Sequence, residues 1–111
     1  MSQIQALHQE AMNLAEGALT AKLRGDLTQA DQPLRQAFKE EVEAAALVTN
    51  DVNAEPTRSV LHRSAASLAI DCGEFQVAEH LIMTALTGQP PQEIAEELKD
   101  LFVQIKFDHP S

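Results

Sequence analysis

Tryptophan and tyrosine are absent from this 111-residue chain, and its large aromatics are four phenylalanines. A core built from it must come from aliphatic side chains. There is one cysteine, Cys72, so no disulfide can form within the chain and a reducing compartment is the natural setting. Basic residues are scarce. Eight Lys and Arg stand against 17 Asp and Glu, for a formal net charge of −9. Such a surface repels phosphate backbones and anionic lipid, which sets aside nucleic acid and membranes as partners. No stretch approaches the roughly 18 uninterrupted apolar residues of a membrane span. Residues 1–10 lack the basic region and apolar run of a secretory signal. A cytoplasmic location is expected. The chain also lacks a glycine-rich phosphate loop, a nucleophile elbow and a His-Glu-x-x-His motif, so neither a cofactor nor a catalytic metal is expected.

What is present is alanine and leucine, which together outnumber the β-branched residues. Both lose little side-chain freedom in a helix, so the composition leans all-α. A single domain of this length buries about two-thirds of the surface its unfolded chain exposes, enough for a core. Five segments carry apolar residues at helical spacing. The first, 2–24, has Ile4, Leu7, Ala11, Leu14, Ala15, Ala18 and Ala21 on one face, and Ser2 with Gln5 matches a capping box. Gly25-Asp26 breaks it. The second, 27–48, contains Pro33. Either the helix kinks there, or regular helix begins near Asp31 with Pro33 in its first turn. The polar stretch TNDVNAE at 49–55 is a linker, and Pro56 opens a third segment that ends at Cys72. A fourth, 75–87, stops at Gly88-Gln89-Pro90-Pro91. A fifth, 91–106, has acids near its start and lysines near its end, both favourable to the helix dipole. Residues 107–111 read as frayed.

The chain also repeats itself. Gly25-Asp26-Leu27-Thr28-Gln29-Ala30 parallels Gly73-Glu74-Phe75-Gln76-Val77-Ala78. In the same register Ala18 matches Ala66, Leu34 matches Ile82, and Ala37 matches Ala85. Fixed-register self-similarity is the mark of repeat architectures. This pattern resembles the tetratricopeptide repeat, with small residues where two helices approach, a glycine at the turn, a large apolar residue after it, and Pro90 at the family's terminal proline. The resemblance covers residues 11–90. It implies an all-α fold of two antiparallel hairpins in a right-handed array, repeat 1 over 2–48 and repeat 2 over 56–88, closed by a capping helix over 91–106. The 48-residue spacing of the glycines exceeds the family's usual period of about 34, and the usual Trp and Tyr positions hold other residues.

Residues that could carry chemistry are few. His8, His62, His80 and His109 show no metal-ligand spacing. Arg58 and His62 stand three residues apart in between, as in some small helical ribonucleases, but the net charge opposes RNA. Cys72 stands alone at a helix end. A non-enzymatic interaction module is therefore expected, and the Arg58–His62 enzyme is the alternative. In the tetratricopeptide family the first helices of the repeats line a groove that holds a peptide or helix. Carried over in register, that wall is Met12, Ala15, Leu19 and Lys22 with Val60, Arg63, Ser67 and Ile70. It implies a protein or peptide partner or a second copy of the chain, with Met12, Leu19, Val60 and Ile70 off the main core stripes. Whether the groove stays open or is filled by the last helix is left open by the sequence. The lysines and asparagines by which some family members clamp a C-terminal carboxylate are not present.

Overall fold

A computed structural model describes residues 2–108, and among them there are five α-helices and no strand. The helices are α1 (Gln3–Leu23), α2 (Leu27–Ala46), α3 (Thr57–Asp71), α4 (Phe75–Leu86) and α5 (Gln92–Asp108), with one 3-10 turn at Val52–Ala54 in the linker. The body measures 40 × 39 × 20 Å, so it is a slab about two helix diameters thick.

The two short turns explain the pairing. At the end of α1, the Gly25 amide donates to Lys22 O at 2.9 Å and the Asp26 amide to Ala21 O at 2.9 Å. At the end of α3, Gly73 donates to Ile70 O at 3.0 Å and Glu74 to Ala69 O at 2.8 Å. Both are Schellman caps, which require a residue in the left-handed region. Gly25 at φ 81° and Gly73 at φ 78° supply it. The acid after each glycine is the last residue before the next helix. Asp26 accepts from the Gln29 amide at 3.1 Å, whereas Glu74 makes no such cap. The ladder of α1 begins with the expected capping box, Ser2 and Gln5 each bonded to the other's amide.

Three features add to or depart from the expected elements. Helix α2 starts at Leu27, and Pro33 lies inside it, so the start near Asp31 is not adopted. The Asp26 cap nucleates the helix upstream, and Pro33 leaves out one rung of its ladder. The linker is partly ordered by Asp51, whose side chain accepts from the Asn53 amide at 3.0 Å, and it enters α3 through a cis Glu55–Pro56 bond. Helix α5 continues through Phe107 to Asp108, beyond the expected fraying point. His109, Pro110 and Ser111 lie outside the described residues.

Packing follows the repeat register. Ala18, Ala30, Leu34 and Ala37 are buried between α1 and α2, and Ala66, Ala78, Ile82 and Ala85 between α3 and α4. Leu98 and Ile105 seat α5 on the second hairpin. Leu68 of α3 packs into the first hairpin, and Phe38 of α2 touches both clusters, which joins the hairpins into one core. The register fails at one place. Phe75 packs on the core, but its counterpart Leu27 is 69% exposed, as are Leu23 (81%) and Leu19 (57%) beside it.

A Cβ built on Gly73 meets nothing within 4 Å, so a substitution there pays only for backbone strain. Gly73→Val is expected to destabilise by about 1 kcal/mol or more, and Gly73→Asn by less, because asparagine tolerates the left-handed region. Chemical denaturation of both variants checks the order. Ala66 is fully buried, so Ala66→Leu is expected to overpack the α3–α4 seam and cost about 1–3 kcal/mol by the same measurement.

Candidate functional site

Helix α3 packs on α2, α4 and α5, while α1 packs on α2. Consecutive helices therefore alternate between layers, and α1, α3 and α5 share one face. Three cavities open along it. One of about 260 Å³ lies between the first turns of α1 and α3, lined by Ile4, Gln5, His8, Pro56, Val60 and Leu61. A second of about 190 Å³ lies between their last turns, lined by Ala15, Leu19, Lys22, Asp71 and, at its floor, Leu34 and Leu68. The third and largest, about 420 Å³, separates α3 from α5, with Arg63, Ser64 and Ser67 facing Glu97, Asp100 and Leu101.

The expected wall residues distribute over this face. Leu19 and Lys22 line the second cavity, Val60 the first, and Arg63 and Ser67 the third. Met12 and Ile70 line none of the three cavities. Met12 is half-buried against the first hairpin's cluster, its sulfur 4.0 Å from the Ser64 hydroxyl. Ile70 is half-buried against the α3–α4–α5 cluster. Helix α5 does not fill the groove. It supplies a third wall, and the Arg63 guanidinium donates to the Glu97 carboxylate across the gap. The sequence reading missed His8, Glu97, Asp100 and Leu101. The spacing of Glu93, Glu97 and Asp100, four and then three, was the available sign of an acidic helix face.

Beneath the seam between α1 and α3 lies a buried carboxylate. Glu41 of α2 is 0% exposed. Its Oε2 sits 2.7 Å from His8 Nδ1, and its Oε1 has no hydrogen-bond partner. Burial pushes the Glu41 carboxyl above the usual glutamate range, and the neighbouring Ser64 and His8 side chains act against that rise. Next to it, Glu40 accepts from Gln36 at 3.2 Å and neighbours Glu10 of α1. The charge and hydrogen bond of Glu40 raise the Glu10 carboxyl on α1. In the second cavity, burial raises Asp71, and Lys22 opposes the shift.

Arg58 and His62 do not lie on this face. Both are buried. Arg58 Nε donates to Thr49 O at 2.7 Å, Nη2 to Thr84 O at 2.9 Å and Nη1 to Ala85 O at 3.3 Å, with the Glu55 carboxylate 3.8 Å away. The guanidinium also abuts Gly88, where a Cβ would collide with it. His62 is held below its ordinary range, chiefly by burial. Its Nδ1 lies 2.7 Å from the Arg58 carbonyl, which can only accept, so Nδ1 carries the proton and Nε2 faces the Thr49 hydroxyl at 3.1 Å. His62 and the exposed His80 border a recess of about 190 Å³ on the opposite side. Burial raises the Cys72 thiol, which keeps it protonated and a poor nucleophile. Among the described residues no three His, Cys, Asp or Glu side chains are grouped to hold a metal ion, and no helix is long and apolar enough to cross a membrane.

The buried Glu41 gives a pH prediction. Its folded-state pKa is raised, so its contribution to stability is complete below the unfolded value and is lost as pH rises through the folded one. Glu41→Gln keeps an acceptor for His8 and removes the titration. The melting temperature of the variant relative to the parent should therefore rise as pH increases above the ordinary glutamate range. A pH-independent difference would show that burial does not raise the Glu41 carboxyl.

No protein-family model matches the chain, no curated protein is significantly similar to it, and no solved structure matches it.

Proposed function

We propose that this protein is a non-enzymatic interaction module of tetratricopeptide-like construction, working in the cytoplasm, whose α1–α3–α5 face receives a segment of another protein or of a second copy. One observation carries the reading. Three cavities follow one another along a single face, and the face runs out at one end into Leu19, Leu23 and Leu27, which are exposed. Exposed leucines beside recesses of that kind mark contact sites more often than accidents. The identical Schellman turns and the buried alanines in matching positions support the repeat construction. The Arg58 guanidinium and the His62 ring are occupied by backbone carbonyls and Thr49, which favours a structural use for them.

Random peptides displayed on phage and selected on the immobilised protein test this reading. Leu19→Asp combined with Ser67→Arg changes two exposed positions and should leave the helical circular dichroism intact. Enriched peptides are expected to bind this double variant about tenfold more weakly or worse, as hot-spot loss does. If only self-association appears, the double variant should split the oligomer in sedimentation. Peptides or dimers indifferent to both substitutions would remove this face from the function.

A further inference from the structure

We infer that the segment received by this face is cationic and amphipathic, with a lysine or arginine of the partner entering the α3–α5 cavity beside Asp100 and its apolar side chains lying toward Leu19. This rests on the groove reading above and adds the partner's chemistry.

At about 420 Å³, the cavity has the size of a pocket that takes a small ligand or a long side chain, roughly 300–1,000 Å³. Its one cation, Arg63, is already paired with Glu97. Asp100 remains, and it has no ion pair among the described residues. Ser64 and Ser67 add hydroxyl oxygens to the rim, and Leu101 adds an apolar surface. An ammonium or guanidinium group only donates hydrogen bonds, and here it meets acceptors. The methylene stem of such a side chain packs on apolar surface while its head stays polar. An anionic group would find Arg63 occupied and Asp100 opposing it.

The rest of the face agrees. Glu93, Glu97 and Asp100 line up on α5. Lys22, the other cation of the groove, is offset by Asp71, which faces it in the second cavity. Around them the chain carries a net charge of −9, which draws cationic partners and repels acidic ones. A second copy would bring the same charge to the contact. The apolar half of the occupant is set by Leu19, which is exposed, as are Leu23 one turn further along α1 and Leu27 at the start of α2.

Fluorescence anisotropy with three labelled helical peptides tests the proposal. They share one leucine pattern and carry lysine, glutamine or glutamate at every polar position. The protein, Asp100→Asn, Leu19→Asp and Glu43→Gln are titrated with each. Glu43 is exposed on α2 in the other layer, so Glu43→Gln makes the same change in net charge away from the groove. The lysine peptide should bind best, more weakly at high salt. Its affinity should fall about tenfold with Asp100→Asn, the lower end of the worth of a hydrogen bond to a charged group. It should fall further with Leu19→Asp and hold with Glu43→Gln. Equal losses from Asp100→Asn and Glu43→Gln would reduce the effect to diffuse charge and overturn the inference. Equal binding of all three peptides, abolished by Leu19→Asp, would also overturn it and leave the groove reading intact. If none of the three binds, the inference fails and the groove reading loses its peptide form.

Discussion

One guanidinium holds the structure's longest connection in place. Arg58 reaches from the start of α3 to the Thr49 carbonyl at the end of α2 and to the last carbonyls of α4, Thr84 and Ala85. Thr84 and Ala85 lie in the last turn of α4, and Arg58 shares their carbonyls with the Thr87 hydroxyl and the Gly88 amide. Burying the guanidinium is tolerable because its protons find acceptors and Glu55 stands close. The clamp also shapes the chain beyond it. Gly88 leaves room for the guanidinium, and the turn that delivers α5 to its place starts there. Arg58 thus fixes the start of the turn that leads to α5, and Leu98, Ile105 and the Arg63–Glu97 pair hold that helix beyond it.

The seams between paired helices depend on small side chains. Ala11, Ala18, Ala30 and Ala37 close the first hairpin, and Ala65, Ala66, Ala69, Ala78 and Ala85 the second. Alanine loses no rotamer freedom on burial, and it lets backbones approach closely. Larger residues stand where a helix must bridge to a third neighbour, as Leu68 and Phe38 do between the hairpins and Leu98 and Ile105 do under α5. This division leaves the groove face with polar and medium-sized residues, since the bulk that could have filled it is used elsewhere.

Much of this was legible in the amino-acid order. Helix extents follow from the apolar period, and both turns from a glycine followed by an acid, because those signals are local. The misreadings involve partners distant in sequence. Arg58 and His62 look like surface chemistry when read as a pair, but Arg58 is satisfied by carbonyls nine and about 26 residues away, and backbone acceptors leave no trace in a side-chain pattern. Glu41 carries no sequence signal of burial, since it sits in the charged run Glu40-Glu41-Val42-Glu43. Its burial arises only when His8, 33 residues earlier, is brought against it. Ile70 was assigned to the groove by register, yet the α5 docking side claims it. The last helix was read as a cap, and its groove-facing acids became meaningful once α3 lay opposite.

A slab only 20 Å thick with alanine-lined seams has a mechanical consequence. Closely apposed backbones cannot slide past one another without opening voids or clashes, as in any tightly packed interior. The concavity of the α1–α3–α5 face is thus cast into the resting molecule, and no hinge is required to form it. Were a partner to dock there as proposed, the scaffold would give up little freedom on contact, and the entropic cost of association would fall on the incoming chain as it takes up the shape.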